Sequence, residues 1–200
     1  MTLLPLVLST AGWNPSGSAD GRQLSWGGAP GVCRFCGFRA PGWMETYRHD
    51  GQAVTACLLC SLCHGLDRPT IDAEATLIWL PEMSQAALIA TVRRFHVICQ
   101  LHNVSPTMDR VPGLDGDRLR RAWGVQSALL RRTAVAEKRL GSARIGDLAA
   151  ALEGVTPTTI VRASLLGGLR LLPLGRFYRD GIDVYPAALA GLRTPKGAAA

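Results

Sequence analysis

The residues of this chain best placed to do chemistry are two cysteine pairs. Cys33-Arg-Phe-Cys36 and Cys57-Leu-Leu-Cys60 each bring two sulfurs to one tight turn, and the 20 residues between them can form a hairpin that brings the turns together. The pattern predicts a four-thiolate Zn²⁺ site. Four sulfurs at roughly 2.3 Å close a tetrahedron and leave no vertex for water, so one such ion holds structure and activates nothing. Gly37 stands where a knuckle turn requires positive φ. Disulfides are the competing chemistry. Against them, no Lys or Arg precedes the apolar run at residues 3–8, the first basic residue being Arg22, so no export signal is expected; the paired spacings are also too tight for ordinary loop-closing bridges. Cys63 extends the second pair to Cys57-x-x-Cys60-x-x-Cys63, and any two of the three could serve. Cys57 and Cys60 are favoured, as a strand end and a first helical turn, with Cys63 as a buried thiol one turn further in. Cys99 is expected in the core.

Three further residues suggest a second chemistry. In a ββα-metal nuclease a histidine on the hairpin acts as general base, and ligands on the following helix hold a divalent ion. His49, Asp50 and His64 could fill those roles. However, a hairpin beginning at Met44–Tyr47 puts His49-Asp50-Gly51-Gln52 on its turn, where Asp-Gly is expected without any catalysis. His64 also reads as a polar first-turn residue, and His96 and His102 as surface or half-buried helix positions.

The elements that must position the cysteines follow from patterning. A chain of 200 residues with 48% hydrophobic and 18% charged residues is too apolar to be mainly disordered, and is long enough for one compact domain. The run at 3–8, broken by Pro5, is too short to cross a bilayer and is expected to be a strand. Residues 14–31 read as loop, and 75–80 as a buried strand stopped by Pro81. Ser84 can cap a helix on which Met83 staples to Leu88 and Leu88, Val92, Phe95 and Cys99 share one face. After a linker at 103–116, Asp117 is expected to cap one long helix to about Leu140, stopped by Gly141, with Leu119, Trp123, Leu130 and Leu140 inward. Shorter helices are expected at about 147–153 and 156–167, then a strand-like stretch at 169–173. The fold class expected is α+β: an N-terminal strand and loop (1–32), a zinc module with its following strand (33–80), a helical part packed on it (81–190) and a tail (191–200).

Charge is concentrated. Residues 118–144 hold eight basic residues against Glu137, whereas the remaining 14 basic and 14 acidic residues balance. Twenty of the cations are Arg and two Lys, a bias that suits planar contacts with carboxylate or phosphate and that a GC-rich genome would equally produce. Such a helix suits an acidic polypeptide. DNA binding through it is a lesser alternative, since aromatics do not interleave with the run apart from Trp123, which its spacing places inward.

Four segments taken in order carry a family resemblance: Cys33-Arg-Phe-Cys36-Gly-Phe-Arg-Ala40; Val54-Thr-Ala-Cys57-Leu-Leu-Cys60-Ser-Leu-Cys63; Leu77-Ile-Trp-Leu-Pro-Glu-Met-Ser-Gln85; and Leu169-Arg-Leu-Leu-Pro173 with Arg176-Phe177. Each is common alone. As an ordered set reaching to about Tyr185, the chain resembles the DotN/IcmJ family, components of Dot/Icm-type (type IVB) secretion and related conjugation machineries. The resemblance implies a zinc core similar to HNH endonucleases that has lost nuclease chemistry, with Cys33, Cys36, Cys57 and Cys60 as ligands and no catalytic residue. It further implies a cytoplasmic location peripheral to the inner-membrane complex. The implied partners are the C-terminal segment of the coupling ATPase and adaptor proteins that collect substrates. The insert between the cysteine pairs is shorter than that family's, and the Arg-rich helix is a further departure. The alternative function is an HNH-type metal-dependent endonuclease acting in conjugative DNA transfer.

Overall fold

The computed structural model describes residues 3, 4, 6, 8, 31–40, 43–49, 52–107, 116–153 and 166–192. The expected loop at 14–31 (but for Gly31), the helix at 156–167 (but for its last two residues), the tail from 193 and the Asp50–Gly51 turn lie outside them. The fold is α+β, as the pattern predicts. β1 (Met44–His49) and β2 (Gln52–Cys57) form an antiparallel hairpin rich in Thr, Tyr and Val. Its register pairs His49 with Gln52, so the connection is the two residues Asp50-Gly51. Chain direction then changes abruptly: α1 (Leu58–Ser61) starts at the residue after β2, and a single 3₁₀ turn (Leu62–His64) follows.

The expected strand at 3–8 is not seen among its described residues. Leu3, Leu4, Leu6 and Leu8 carry no strand pairing; the Leu4 amide donates to Arg34 O at 2.8 Å, and Leu4, Leu6 and Leu8 pack on the core. Pro5 has no N–H to offer a ladder, which disfavours a strand through this run.

α2 (Ile71–Glu74) leads into β3 (Ala75–Trp79), the predicted buried strand, which pairs antiparallel with β4 (Leu169–Pro173). Gly168 lies so close under the Trp79 indole that a Cβ there would overlap the ring. α3 (Gln85–Leu101) packs on this pair. Ser84 Oγ accepts from Ala87 N at its start, and Leu88, Val92, Phe95 and Cys99 are all buried, as their spacing predicts.

The single long helix expected from Asp117 is two helices, α4 (Asp117–Arg131) and α5 (Thr133–Leu140), broken at Arg132. The cause is tertiary. The free edge of β3 needs acceptors: Trp79 N–H donates to Arg132 O at 3.3 Å and Leu77 N–H to Ala143 O at 3.0 Å. α5 therefore turns to lie along that edge while α4 packs on α3. Gln126 and Leu129 are buried where Leu130 and Leu140 were expected, and those two are about 40% exposed. Leu119 is buried and the half-buried Trp123 stacks edge-on against Phe95. Gly116, with φ 105°, rather than Asp117 occupies the cap position, and Gly141 ends α5 left-handed as expected.

α6 (Ile145–Glu153) begins at two amides, Ile145 and Gly146, both held by Asp72 Oδ1. A short hairpin, β5 (Tyr178–Arg179) and β6 (Ile182–Asp183), then leads to α7 (Tyr185–Gly191). Asp180 and Gly181 between the strands both have positive φ, the conformation that a tight two-residue hairpin requires. One buried cluster runs from Leu8 through Phe35, Trp43 and the cysteines to Phe177, Tyr185 and Leu189, so the C-terminal elements complete the core around the cysteine module.

Candidate metal centre

The knuckle holding the first pair is fixed by backbone. Cys33 N–H donates to Phe38 O at 2.9 Å, Gly37 N–H returns to Cys33 O at 3.0 Å, and Gly37 takes φ 71°. Arg34 N–H donates to Thr55 O at 2.9 Å, tying the knuckle to β2. The second pair straddles the strand–helix junction, Cys57 ending β2 and Cys60 in α1, as the sequence suggests. The sulfurs of Cys33, Cys36, Cys57 and Cys60 all lie within 4.8 Å of one another, and Cys36 Sγ is 3.7 Å from Cys57 Sγ. A tetrahedron with Zn–S of about 2.3 Å has edges of about 3.8 Å, so four sulfurs gathered this closely could hold one Zn²⁺. All six cysteines are unbridged.

Electrostatics points the same way. Hydrogen bonds from the other thiols, Cys33 foremost, hold the Cys36 thiol far below the ordinary thiol range. Cys57 and Cys60 are pushed well above it, first by Cys33 and then by Cys36, with burial adding to the effect. Cys33 feels Cys36 pushing it up, but Cys57 and Cys60 pull it down to about 7. Four sulfurs this close therefore carry negative charge together only if a cation lies among them.

Cys63 lies outside this group. It is fully buried on the 3₁₀ turn, where burial above all raises its thiol. Cys99 is buried on α3 among Phe95 and Leu119. Among the described residues, this is the one group of three or more His, Cys, Asp or Glu side chains close enough to share a metal. His49 ends β1, Asp50 lies outside the described residues, and His64 is buried with its ring 4.5 Å from that of Phe35. His102 is exposed.

His96 corrects the sequence expectation, being fully buried rather than at the surface or half-buried. Its Nδ1 is 2.6 Å from the Tyr185 hydroxyl, and burial lowers its pKa to about 3. The cause is α7, which covers this part of α3 and places the Tyr185 ring 5.3 Å from the imidazole.

One residue at the centre had no signal in the sequence. Arg93, on α3 and 57 residues from Cys36, donates from Nη1 to Cys36 Sγ at 3.5 Å while its guanidinium stacks 4.0 Å from the Phe38 ring centroid. A cation hydrogen-bonded to a ligand sulfur lowers the charge that a Cys₄ site presents and fixes the orientation of the half-buried Cys36. Only the packing of α3 against the knuckle brings the two together.

No model of a known protein family matches this chain, and no curated protein is significantly similar to it. No helix among the described residues is long and apolar enough to cross a membrane.

Proposed function

We propose that this protein is a non-catalytic, zinc-stabilised platform that binds a segment of another polypeptide, in the manner of the DotN/IcmJ proteins it resembles. On this reading it is a cytoplasmic adaptor subunit of a type IVB-like coupling complex, holding the C-terminal extension of the coupling ATPase beside substrate-collecting adaptors. The observation that carries the non-catalytic half is the closure of the site. Four cysteine sulfurs occupy every vertex, and Arg93 covers the half-buried one, so an ion held there has no position for water or substrate.

Partner binding is supported by the charge of the α4–α5 face. Arg120, Arg132 and Arg144 are paired with Asp117, Glu82 and Asp72, and Arg139 stacks on Trp79. Arg118, Arg121, Arg131 and Lys138 are exposed and make no ion pair among the described residues. An acidic extended segment would complement that face.

The test combines two measurements on the full chain. Metal quantification should give one tightly held zinc per protein, with no cleavage of plasmid DNA in Mg²⁺ or Mn²⁺. Co-purification of the tagged protein from its own cells should retain the coupling ATPase, and should lose it when that enzyme's C-terminal extension is deleted. A second, weakly held divalent ion together with DNA cleavage abolished by His49→Ala would replace this reading with the endonuclease. Retention of the ATPase without its extension would remove the proposed mode of binding.

A further inference from the structure

Beside α4 lies a cleft of about 290 Å³ whose walls include Trp123, Gln126, Ser127, Leu130, Leu174 and Arg176. It is at the foot of the roughly 300–1,000 Å³ range of small-molecule pockets, with room for one large side chain. Its chemistry is mixed in a specific way. Leu130 is 40% exposed at its edge, an apolar surface without cover among the described residues. Gln126 is 5% exposed, and its Oε1 is shut off from water without a hydrogen-bond partner. A buried amide oxygen in that state costs on the order of 1–3 kcal/mol until it gains a donor.

Two cations flank the cleft. Arg176 is part of the lining, and Arg131 follows Ser127 by four residues on the same face of α4. Neither makes an ion pair among the described residues. The acids of α2 and α4 are already engaged: Asp117 with Arg120, Asp72 with Arg144, and Glu74 with Arg68.

We infer that this cleft is the docking site for an extended acidic peptide, which seats one apolar side chain between Trp123, Leu130 and Leu174 and sets flanking carboxylates against Arg131 and Arg176. On docking, the Gln126 amide turns toward the peptide backbone, whose N–H gives its oxygen the donor it lacks. The charge of the rim selects an acidic partner over a basic or neutral one, and the single-side-chain volume selects a peptide anchor over a larger ligand. The Trp-lined, half-apolar interior sets it apart from a sequence-independent phosphate-binding surface, whose contacts would be charged throughout. The inference rests on the partner-binding reading above and names its surface.

The experiment is selection of random phage-displayed heptapeptides on the full-length, zinc-loaded protein, followed by anisotropy titration of the best peptide with a fluorescent label. Selected sequences should carry Asp or Glu on either side of one Leu, Phe or Trp. Arg176→Glu and Arg131→Glu should each weaken binding by roughly tenfold or more, and Gln126→Leu should weaken it as well. Arg94→Glu, exposed on α3 and outside the lining of the cleft, should leave binding unchanged. Each variant should keep one zinc per chain, which separates loss of the site from loss of the fold. No enrichment, enrichment of neutral or basic peptides, or equal affinity in Arg176→Glu overturns the inference. So does a DNA duplex that binds at physiological salt and displaces the peptide. The selection uses no secretion component, so acidic peptides selected by a protein that retains no coupling ATPase remove that partner and leave the cleft. A retained ATPase with no selected peptide leaves the platform and removes the cleft.

Discussion

Cys36 Sγ stands 3.7 Å from Cys57 Sγ across 21 residues of chain, close to the tetrahedral edge of a zinc thiolate site and well beyond the S–S bond of a disulfide. The hairpin closes that distance, so metal binding and folding of the hairpin are coupled. Cys33→Ser and Cys60→Ser should therefore abolish stoichiometric zinc and lower the thermal midpoint together, since a structural site of this kind contributes about 10 kcal/mol or more. Cys63→Ala and Cys99→Ala should keep the metal and cost only the packing of a small buried group. Zinc retained in Cys60→Ser and lost in Cys63→Ala would reassign the ligands. Metal content by plasma spectrometry and melting by circular dichroism decide it.

Removing Arg93 tests whether the hydrogen bond to Cys36 matters to the metal. Arg93→Met keeps an unbranched stem over the Phe38 ring and deletes the donor. Zinc should remain bound as purified but transfer faster to a chromogenic chelator, with an affinity loss of about 10- to 100-fold, as is usual when a ligand's hydrogen-bond partner is removed. Transfer at an unchanged rate would show that the contact is electrostatically idle.

The cysteine group was legible because two short spacings specify local geometry that tertiary structure need only bring together. The same holds for α3, where Ser84 and the Leu88–Val92–Phe95–Cys99 stripe act within one helix. The α4–α5 break was not legible, because its cause is the unpaired edge of β3, and Trp79 is 53 residues from Arg132. Periodicity carries through Arg132 without interruption; the competing acceptor demand appears only when strand and helix meet. Burial of His96 was hidden for a similar reason, since α7 supplies both the cover and the Tyr185 hydroxyl. The β5–β6 hairpin had a signal: Asp180-Gly181 is the same turn dipeptide as Asp50-Gly51, flanked by strands only two residues long.

His96 should make stability depend on pH in one direction. Its folded pKa is lowered to about 3, from an ordinary value near 6.5, because burial excludes the charged form. Above pH 6.5 both folded and unfolded chains hold it neutral, and its contribution to stability is complete. As pH falls below 6.5 the unfolded chain takes up a proton that the folded chain refuses, and the contribution drains away until about pH 3. Between pH 6.5 and 4 the loss is about 3 kcal/mol. Acid also releases zinc, so the measurement is a difference: urea unfolding of the native chain against His96→Gln, which keeps a polar partner for Tyr185 and does not titrate. The native chain should lose more stability over that interval; parallel curves would show that the imidazole is hydrated in solution.

Arg68 and Glu74 form an ion pair with neither side chain more than 1% exposed, joined by two hydrogen bonds of 2.8 and 2.6 Å. Glu74 Oε1 also accepts from Tyr178 N–H at 2.6 Å and Arg68 donates to Tyr178 O at 2.8 Å, while the guanidinium lies 4.4 Å over the Phe177 ring. The pair thus clamps the start of β5 to α2. Desolvating both charges offsets much of their attraction, so the energetic consequence depends on which partner is removed. Glu74→Leu strands a buried guanidinium and should cost about 3–5 kcal/mol. Arg68→Met with Glu74→Leu removes both charges and should cost clearly less than that single change, the remaining loss reflecting the unsatisfied Tyr178 N–H. Chemical denaturation of the two single variants and the double variant closes the cycle. Additive losses would mean that the two side chains act independently and that the clamp resides in the backbone of β5 alone.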